Sequence, residues 1–153
     1  MFAGKQVIES FMSASKSRLY HRLQLAAHRL QKSADRALLA AAEITTAQAA
    51  VLTLVARGAV TQREVATQLG LNESAVTAMA QRLLGMGLLE RVRDETDARA
   101  WQLRLSGDGR AALKRIEQPF KAINQTIETV LSGEEITHFA DYLQRIASAF
   151  DEG

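Results

Sequence analysis

Side chains that suit DNA contact occupy one face of a short predicted helix in the middle of the chain. Residues 61–84 read TQREVATQLGLNESAVTAMAQRLL, where Val76, Met79 and Leu83 would be buried on one side of the helix. The opposite face then carries Ser74, Thr77, Ala78, Gln81 and Arg82. Small side chains allow close approach to a major groove, Gln pairs bidentately with adenine, and Ser or Thr reaches bases or phosphates. A helix face that is merely exposed to solvent could carry the same residues. The assignment of this face to DNA contact therefore depends on the segments that precede and follow it.

A preceding helix and a tight turn must position this face. We predict a first helix over residues 62–68, followed by Gly70, which permits a turn with positive φ. Leu71 would pack, and Asn72 would cap the second helix. Three apolar side chains of the first helix would be buried: Val65, Ala66 and Leu69. The pattern is typical of a helix-turn-helix.

Two short strands are predicted directly after this motif. The segment Gly85-Met-Gly87 ends the second helix, and residues 88–93 and 100–105 alternate apolar and polar side chains around the loop 94–99. We therefore predict a β wing. Five of its side chains would face inward in part: Leu88, Val92, Trp101, Leu103 and Leu105. Trp101 could instead lie against the first strand near the tip.

Long helices with narrow apolar stripes flank the middle segment. We predict one over residues 6–39, a shorter one over about 46–56, and two more separated at Ser132-Gly133, with Pro119 kinking rather than ending the first of these. The first stripe is Met12, Leu19, Leu23, Ala26, Leu30 and Ala34. The later stripes are Leu113, Ile116, Phe120, Ile123, Ile127 and Val130, then Ile136, Phe139, Leu143, Ile146 and Phe150. These helices would pack with each other and with their copies in a second chain; a monomeric bundle is the alternative.

Several helix starts are visible as local hydrogen-bonding patterns. A hydroxyl residue precedes Gln or Glu by three positions at Thr45, Thr61 and Ser132. In this capping box the hydroxyl accepts the third amide of the helix, and the Gln or Glu side chain reaches back to the amide of the cap. We expect a helix to begin after each of them.

Composition narrows the possible classes of protein. The 153 residues include no cysteine, which excludes disulfides, thiolate metal sites and thiol nucleophiles, and the net charge is only +2. No apolar run approaches the roughly 20 residues of a membrane span, and the start lacks the order of a signal peptide, so we expect a cytoplasmic protein without a membrane partner.

The sequence lacks the residue patterns of catalysis. No nucleophile with its base and no glycine-rich phosphate loop is present, since we interpret GMG and GDG as helix ends, so an enzyme is not expected. His21 and His28 lie seven residues apart and His138 lies in the last helix, but ordinary amphipathic histidines are favoured over a metal site. We expect no cofactor.

The central segment resembles the winged helix-turn-helix core of the MarR family of bacterial transcription regulators. The resemblance rests on GLNESAVTAMAQRLLGMGLLERVRDETDARAWQLRLSGDGRAAL, above all on the step GLLER, the pair Asp97-x-Arg99 and LRLSGDGRAAL. It extends upstream through ITTAQAAVLTLVARGAVTQREVATQLG and covers roughly two-thirds of the chain, while the terminal helices match in pattern only.

This resemblance implies a fold that is mainly α with a small β wing. Residues 1–44 and 107–153 would form an intertwined helical dimerisation domain, and residues 45–106 the winged helix-turn-helix. The protein would be a homodimeric regulator that binds a pseudo-palindromic operator sequence in double-stranded DNA. The resemblance favours a repressor over an activator. A small organic, often aromatic, acid could release it by binding where the winged lobe meets the terminal helices.

The resemblance also assigns contacts to DNA. The arginine matching Arg99 enters the minor groove, and the aspartate matching Asp97 fixes the loop by ion pairing. Recognition residues would be Ser74, Thr77, Gln81 and Arg82, with Gln62 and Arg63 on phosphates.

Two departures from the family pattern bear on affinity. Ala78 stands where many relatives have a larger polar or basic residue, and Glu73 near the helix start would repel phosphate. Acidic and basic residues are balanced one for one between residues 61 and 105. Either DNA affinity is modest, or the first helix contributes its basic residues. The rival hypothesis is a winged-helix dimer that serves as a protein-interaction module without DNA binding.

Overall fold

The structure, a computed structural model, describes residues 18–97 and 99–151. This part of the chain contains six helices and a two-stranded antiparallel sheet, which confirms the predicted mainly α fold with a β wing. In chain order they are α1 (Leu19–Ala42), α2 (Thr46–Val55), α3 (Gln62–Leu69), α4 (Glu73–Gly85), β1 (Leu89–Arg93), β2 (Trp101–Leu105), α5 (Gly107–Val130) and α6 (Gly133–Ala149).

The predicted caps start the helices as expected. Complete capping boxes precede α2 at Thr45, α3 at Thr61 and α6 at Ser132. The side chain of Asn72 accepts the amide hydrogen of Ala75 at 2.8 Å and so caps α4. Each interaction lies within four residues of sequence, which is why the sequence pattern was sufficient to predict it.

The turn between α3 and α4 depends on Gly70. Its φ of 62° lies in the left-handed region that glycine adopts most readily, and the amide of Leu71 donates to the carbonyl of Ala66 at 2.9 Å. The prediction that Leu71 packs in the core was wrong, because its side chain is 38% exposed. Its main chain closes the turn, and that hydrogen bond does not require a buried side chain.

Helix α2 lies at the centre of the core. It packs against α1, α3, α4, α5 and β2, and its valines, its leucines, Ala49 and Gln48 are buried. The largest fully buried side chains are Leu38, Ile44, Val51, Leu52, Val65, Val76, Leu83 and Leu103. The winged lobe is thus built around one helix, which contacts both helices of the helix-turn-helix and the second strand of the wing.

Two long-range contacts attach neighbouring segments to this core. The carboxylate of Asp35 in α1 accepts both the amide and the hydroxyl of Thr46, each at 2.7 Å, and so joins α1 to the first turn of α2. Val60 forms an isolated antiparallel bridge with Leu103, with N–O distances of 3.2 and 2.7 Å. The sequence pattern indicated neither contact, because each joins residues that are far apart in the chain.

Helix α5 begins in tight contact with the wing. The hydroxyl of Ser106 donates to the carbonyl of Gly87 at 2.6 Å and accepts the amide of Gly109 at 3.0 Å. The segment GDG lies at a helix end, as interpreted, since these residues form the first turn of α5. The helix continues through Pro119, as predicted.

The terminal helices leave much of their apolar surface exposed. Helix α1 continues three residues beyond the predicted residue 39, because Leu38 and Ala42 extend its stripe into the core before Glu43 takes a left-handed φ of 58°. Its predicted start and Met12 lie outside the described residues. In α6, Phe139, Tyr142, Leu143 and Ile146 are all exposed.

A membrane span requires a helix that is both long and apolar. None of the described helices alone combines the necessary length and apolarity. Only α1 and α2 taken together do so, and the chain bends by 65° between them.

Candidate nucleic-acid interface

Helix α4 presents the predicted polar face. Val76, Ala80 and Leu83 are buried beneath it, and Met79 is half-buried. The opposite side exposes Ser74, Ala78, Gln81 and Arg82, whereas Thr77 is half-buried. Ala80 was not among the predicted buried residues, although its spacing of four from Val76 and three from Leu83 indicates the same stripe.

Two of the predicted site residues contact each other across the helix-turn-helix. The hydroxyl of Thr77 lies 3.0 Å from Oε1 of Gln62 and 2.8 Å from the carbonyl oxygen of Glu73. Because a hydroxyl carries a single hydrogen, it donates to one of these oxygens at a time and keeps its lone pairs for an incoming donor. Thr77 and Gln62 therefore fix the angle between α3 and α4.

The start of α4 carries a local charge pair. Nε of Arg63 lies 3.3 Å from Oε1 of Glu73, and both side chains are largely exposed. An exposed pair of this kind contributes only about 0 to 1 kcal/mol, so it yields readily to a competing phosphate. The hydroxyl of Ser74 donates to Oδ1 of Asn72 at 2.8 Å and is thereby held at the first turn of α4.

Asp94 organises the wing loop, a role that sequence reasoning missed. Its Oδ1 accepts the amide and the hydroxyl of Thr96 at 2.8 and 2.7 Å, and its Oδ2 accepts Nε2 of Gln102 at 2.9 Å. The hydrogen bond from the Thr96 hydroxyl is the largest cause of a lowered pKa at Asp94, with further contributions from the Thr96 amide, the Asp97 amide and Gln102. The signal was present as Asp-x-Thr, a common turn pattern.

Arg99 lies exposed at the wing tip, where sequence reasoning placed it. Its amide donates to Oδ1 of Asp97 at 3.0 Å, and the carbonyl of Asp97 accepts the amide of Ala100 at 2.9 Å. The predicted ion pairing of Asp97 is absent from the part of the chain that the structure describes. Asp97 supports the loop through the main chain instead, because a carboxylate two residues before an amide can close a turn with it.

The β ribbon positions the remaining charged residues of the wing. Arg104 lies opposite Glu90 and forms an ion pair with it at 2.9 Å. Trp101 lies opposite Arg93, and the guanidinium carbon of Arg93 is 5.0 Å from the ring centroid. The prediction that Trp101 faces the core was wrong, since it is 52% exposed; it lies against the first strand, the alternative considered above. Arg93 and Trp101 form the last residue pair of the ribbon, which extends past the hydrophobic core.

The other predicted inward positions of the wing are largely as expected. Leu88, Leu103 and Leu105 are buried, and Val92 is half-buried. Leu89 is also buried, although it was not among the residues predicted to face inward. The base of the wing is thus part of the core, whereas its tip is not.

Two of the three histidines have aromatic neighbours. The rings of His21 and Tyr20 meet edge to face with centroids 5.5 Å apart, and the ring of His138 stacks on Tyr142 at 6.4 Å. Within residues 18–97 and 99–151 no cluster of three or more His, Asp or Glu side chains is arranged to hold a metal ion.

A cavity of about 340 Å³ lies between α2, the end of α3 and α5. Its polar lining comes from Thr46, Thr53, Arg57 and Gln68, and Phe120 closes one side. A lining that includes both a cation and an aromatic ring suits a small organic anion.

These features define a class of protein. A helix-turn-helix with an exposed polar second helix, followed by an antiparallel ribbon with arginine at its tip, is a winged helix-turn-helix. Known proteins narrow the class further.

The model of the MarR family matches residues 42–100. The PcaV transcriptional regulator from Streptomyces coelicolor, solved with its natural ligand, is 32% identical to this chain, with a TM-score of 0.71 over 90% of this chain and 95% of PcaV. The transcriptional repressor CouR, solved on a 23-mer DNA duplex, is 29% identical, with a TM-score of 0.77 over 84% of this chain and 92% of CouR. MepR from S. aureus, solved with DNA, shares the fold at 23% identity, with a TM-score of 0.77 over 86% and 98% of the two chains. None of the curated proteins compared with this chain matches it.

The chain belongs to the MarR family of DNA-binding transcription regulators. The sequence-based resemblance is thereby confirmed over a longer stretch than the central motif alone, since PcaV aligns with most of the chain. Members of this family regulate transcription, so the protein is a regulator and not an enzyme.

Proposed function

We propose that this protein acts as a homodimeric repressor that binds a specific operator and is released by a small organic acid. The observation that carries the proposal is the exposed face of α4 beside a wing whose loop, held by Asp94 and Asp97, presents Arg99 at its tip. A major-groove reader next to a minor-groove arginine is the arrangement that sequence-specific recognition of a duplex requires.

The contacts with DNA are divided between two grooves. We assign Ser74, Thr77 and Gln81 to base edges or phosphates in the major groove and Arg99 to the adjacent minor groove, with Asp97 supporting the loop. Phosphate contacts are assigned to Gln62, Arg63 and Arg82. In a symmetric dimer the two α4 helices would enter grooves about one turn, roughly 34 Å, apart on a pseudo-palindrome.

Dimerisation is proposed to occur through the terminal helices, with residues 1–44 and 107–153 as the dimerisation domain and 45–106 as the winged lobe. Exposed apolar side chains of α1 and α6 line a groove of about 620 Å³ that includes Leu19, Phe139, Tyr142 and Ile146. In the described chain α6 buries no residue against the other elements. A second copy would cover this surface, as the family resemblance implies.

Release by a ligand is proposed for the cavity between α2, α3 and α5. Arg57 supplies a cation for a carboxylate and Phe120 an aromatic surface. PcaV, the relative with 32% identity, was solved with its natural ligand, and CouR is described as a repressor. A ligand in this cavity would contact the winged lobe through α2 and the terminal helices through α5, so it could change the spacing of the two lobes.

The test is fluorescence-anisotropy binding to DNA from upstream of the protein's own gene, against scrambled DNA, over a series of salt concentrations. We expect sequence-dependent binding by one dimer per site. Arg99→Ala should weaken binding and reduce the slope of log affinity against log salt by about 0.9 for a phosphate-like contact. Arg104→Ala, which removes the same charge from the ion-paired arginine of the wing, is the control.

Two results would contradict the proposal. An unchanged affinity of Arg99→Ala at every salt concentration would remove Arg99 from the interface. The wild type could also bind the upstream DNA no better than scrambled DNA. Two explanations would then remain, an operator elsewhere in the genome or a protein-interaction module without DNA binding, and a genome-wide selection of bound fragments would decide between them.

A further inference from the structure

The two faces of the wing ribbon differ in charge. Because side chains alternate along a strand and paired residues share a face, Arg91 and Arg93 lie on the same face as Trp101. We call these three residues the arginine face. Nearer the base, the same face carries Leu89, Leu103 and Leu105, which are buried. The arginine face therefore continues the core-facing side of the ribbon outward to its tip.

The opposite face of the ribbon is neutral. It carries Glu90 and Arg104, which form an ion pair at 2.9 Å, together with Val92 and Gln102. The strands place no acidic residue on the arginine face. The one-for-one balance of acids and bases in the sequence thus conceals a spatial separation, with Arg91 and Arg93 on one side of the ribbon and the pair Glu90–Arg104 on the other.

Two of the three loop acids next to the arginine face, Asp94 and Asp97, are engaged by the loop itself. Asp94 accepts hydrogen bonds from Thr96 and Gln102, and Asp97 accepts the amide of Arg99. Arg91 is exposed and forms no ion pair with any residue in the described ranges. Its charge therefore remains available to a partner.

Trp101 has a position that folding alone does not explain. It is the single tryptophan of the chain and remains half exposed at the end of the ribbon. The guanidinium of Arg93 stacks over its ring. Stacking restricts an arginine side chain before it binds, so less conformational entropy is lost when its N–H groups meet a phosphate.

We propose that the arginine face is a second DNA contact of the wing, in which Arg91 and Arg93 bind backbone phosphates beside the groove that Arg99 enters. Two residues along a strand span roughly 6.6 Å, so the two long side chains can reach separate phosphates of one DNA strand. Trp101 orients Arg93 and packs against the sugar-phosphate backbone. The inference rests on the proposed DNA binding, and it supplies a source of affinity for a lobe whose total charge is balanced.

The test compares charge removal on the two faces of the same ribbon. The salt dependence of binding is measured by anisotropy on one duplex for the wild type, Arg91→Gln, Arg93→Gln, Arg93→Lys and Arg104→Gln. The glutamine variants each remove one positive charge from an exposed strand residue, so Arg104→Gln controls for net charge. Circular dichroism confirms that each variant is folded, and Trp101 emission reports the local environment because no other tryptophan contributes.

We expect Arg91→Gln and Arg93→Gln each to lower the slope of log affinity against log salt by about 0.9, the value for one lost phosphate contact. Arg93→Lys should restore the slope, and Arg104→Gln should leave it near that of the wild type. Trp101 emission should change when DNA is added to the wild type.

Three outcomes would overturn the inference. If the wild type binds DNA but Arg91→Gln leaves the slope of log affinity against log salt unchanged, the arginine face is not part of the interface. Equal losses in Arg91→Gln and Arg104→Gln would show an effect of net charge and not of a contact. If the wild type binds no duplex, both the proposed DNA binding and the proposed role of the arginine face are wrong.

Discussion

Gly109 is a position where a single methyl group should destabilise the fold. It lies in the first turn of α5, and its amide donates to the hydroxyl of Ser106. A Cβ built on Gly109 would fall against the carbonyl oxygen of Leu88 and 2.6 Å from Cδ1 of Leu105. Neither neighbour can yield easily, because the Leu88 carbonyl accepts the amide of Ser106 at 3.2 Å and Leu105 is buried.

The expected size of the effect of Gly109→Ala follows from two opposing terms. Replacing Gly by Ala in a helix interior stabilises by at most about 1 kcal/mol, and less in a first turn. Inserting a methyl group into close-packed atoms typically costs about 1 to 3 kcal/mol, and more where the opposing atom belongs to the main chain. We therefore expect a net loss of about 1 to 3 kcal/mol, equivalent to a fall in Tm of roughly 2 to 12 °C for a chain of this size.

The control is Gly107→Ala in the same turn. No atom lies within 4 Å of a Cβ built on Gly107, and its φ is not in the left-handed region. The same substitution should there leave Tm unchanged or raise it by a few degrees, about 2 to 4 °C per kcal/mol gained. Thermal unfolding of both variants, followed by circular dichroism at one protein concentration, measures the difference. Equal Tm values for Gly109→Ala and Gly107→Ala would refute the close approach of α5 to the wing.

Four further changes test other parts of the structure. The lowered pKa of Asp94 means that its charged form stabilises the loop above its ordinary pKa of about 3.9 and that this contribution is lost as pH falls through the lower folded value. Trp101 emission should therefore stay constant from about pH 7 to 5 and change at lower pH in the wild type, but not in Asp94→Asn; a change centred near neutrality would contradict this. Asp35→Ala should cost about 0.5 to 2 kcal/mol in denaturant unfolding, because the first turn of α2 loses a cap, and a cost equal to that of Asp35→Asn would argue against the cap. Thr77→Val should lower the free energy of unfolding by about 0.5 to 1.5 kcal/mol, because it removes the hydrogen bond to Gln62 in α3. An unchanged free energy of unfolding would show that this hydrogen bond does not form in solution. Ile146→Glu should halve the mass seen in sedimentation, whereas a persisting dimer would exclude α6 from the interface.

Much of the winged lobe could be predicted because its signals are local. The capping hydroxyl of Thr61, the left-handed turn at Gly70 and the cap at Asn72 each depend on residues within a few positions of one another. Alternating apolar residues also located both strands of the wing to within one residue. Local hydrogen bonds and side-chain periodicity are properties that a short segment carries with it.

The candidate site could be predicted only as a set of residues. Sequence reasoning selected Gln62, Thr77 and Arg99 separately, but the hydrogen bond between Gln62 and Thr77 depends on how α3 and α4 pack. Asp97 was chosen correctly as a neighbour of Arg99, yet its carboxylate bonds the amide of Arg99 and not the guanidinium. Which donor a carboxylate meets is decided by the conformation of the loop.

By itself the sequence determined the element types, the turn at Gly70, the family and the helix starts after Thr45, Thr61, Asn72 and Ser132, because each follows from neighbouring residues or from a continuous motif. Only the tertiary structure decided that Asp35 caps a helix eleven residues away, that Gly109 must lack a side chain, and that Trp101 is exposed beside Arg93. These are contacts between segments that are far apart in the chain. Their geometry depends on how the helices and the ribbon pack around α2, which no single segment specifies.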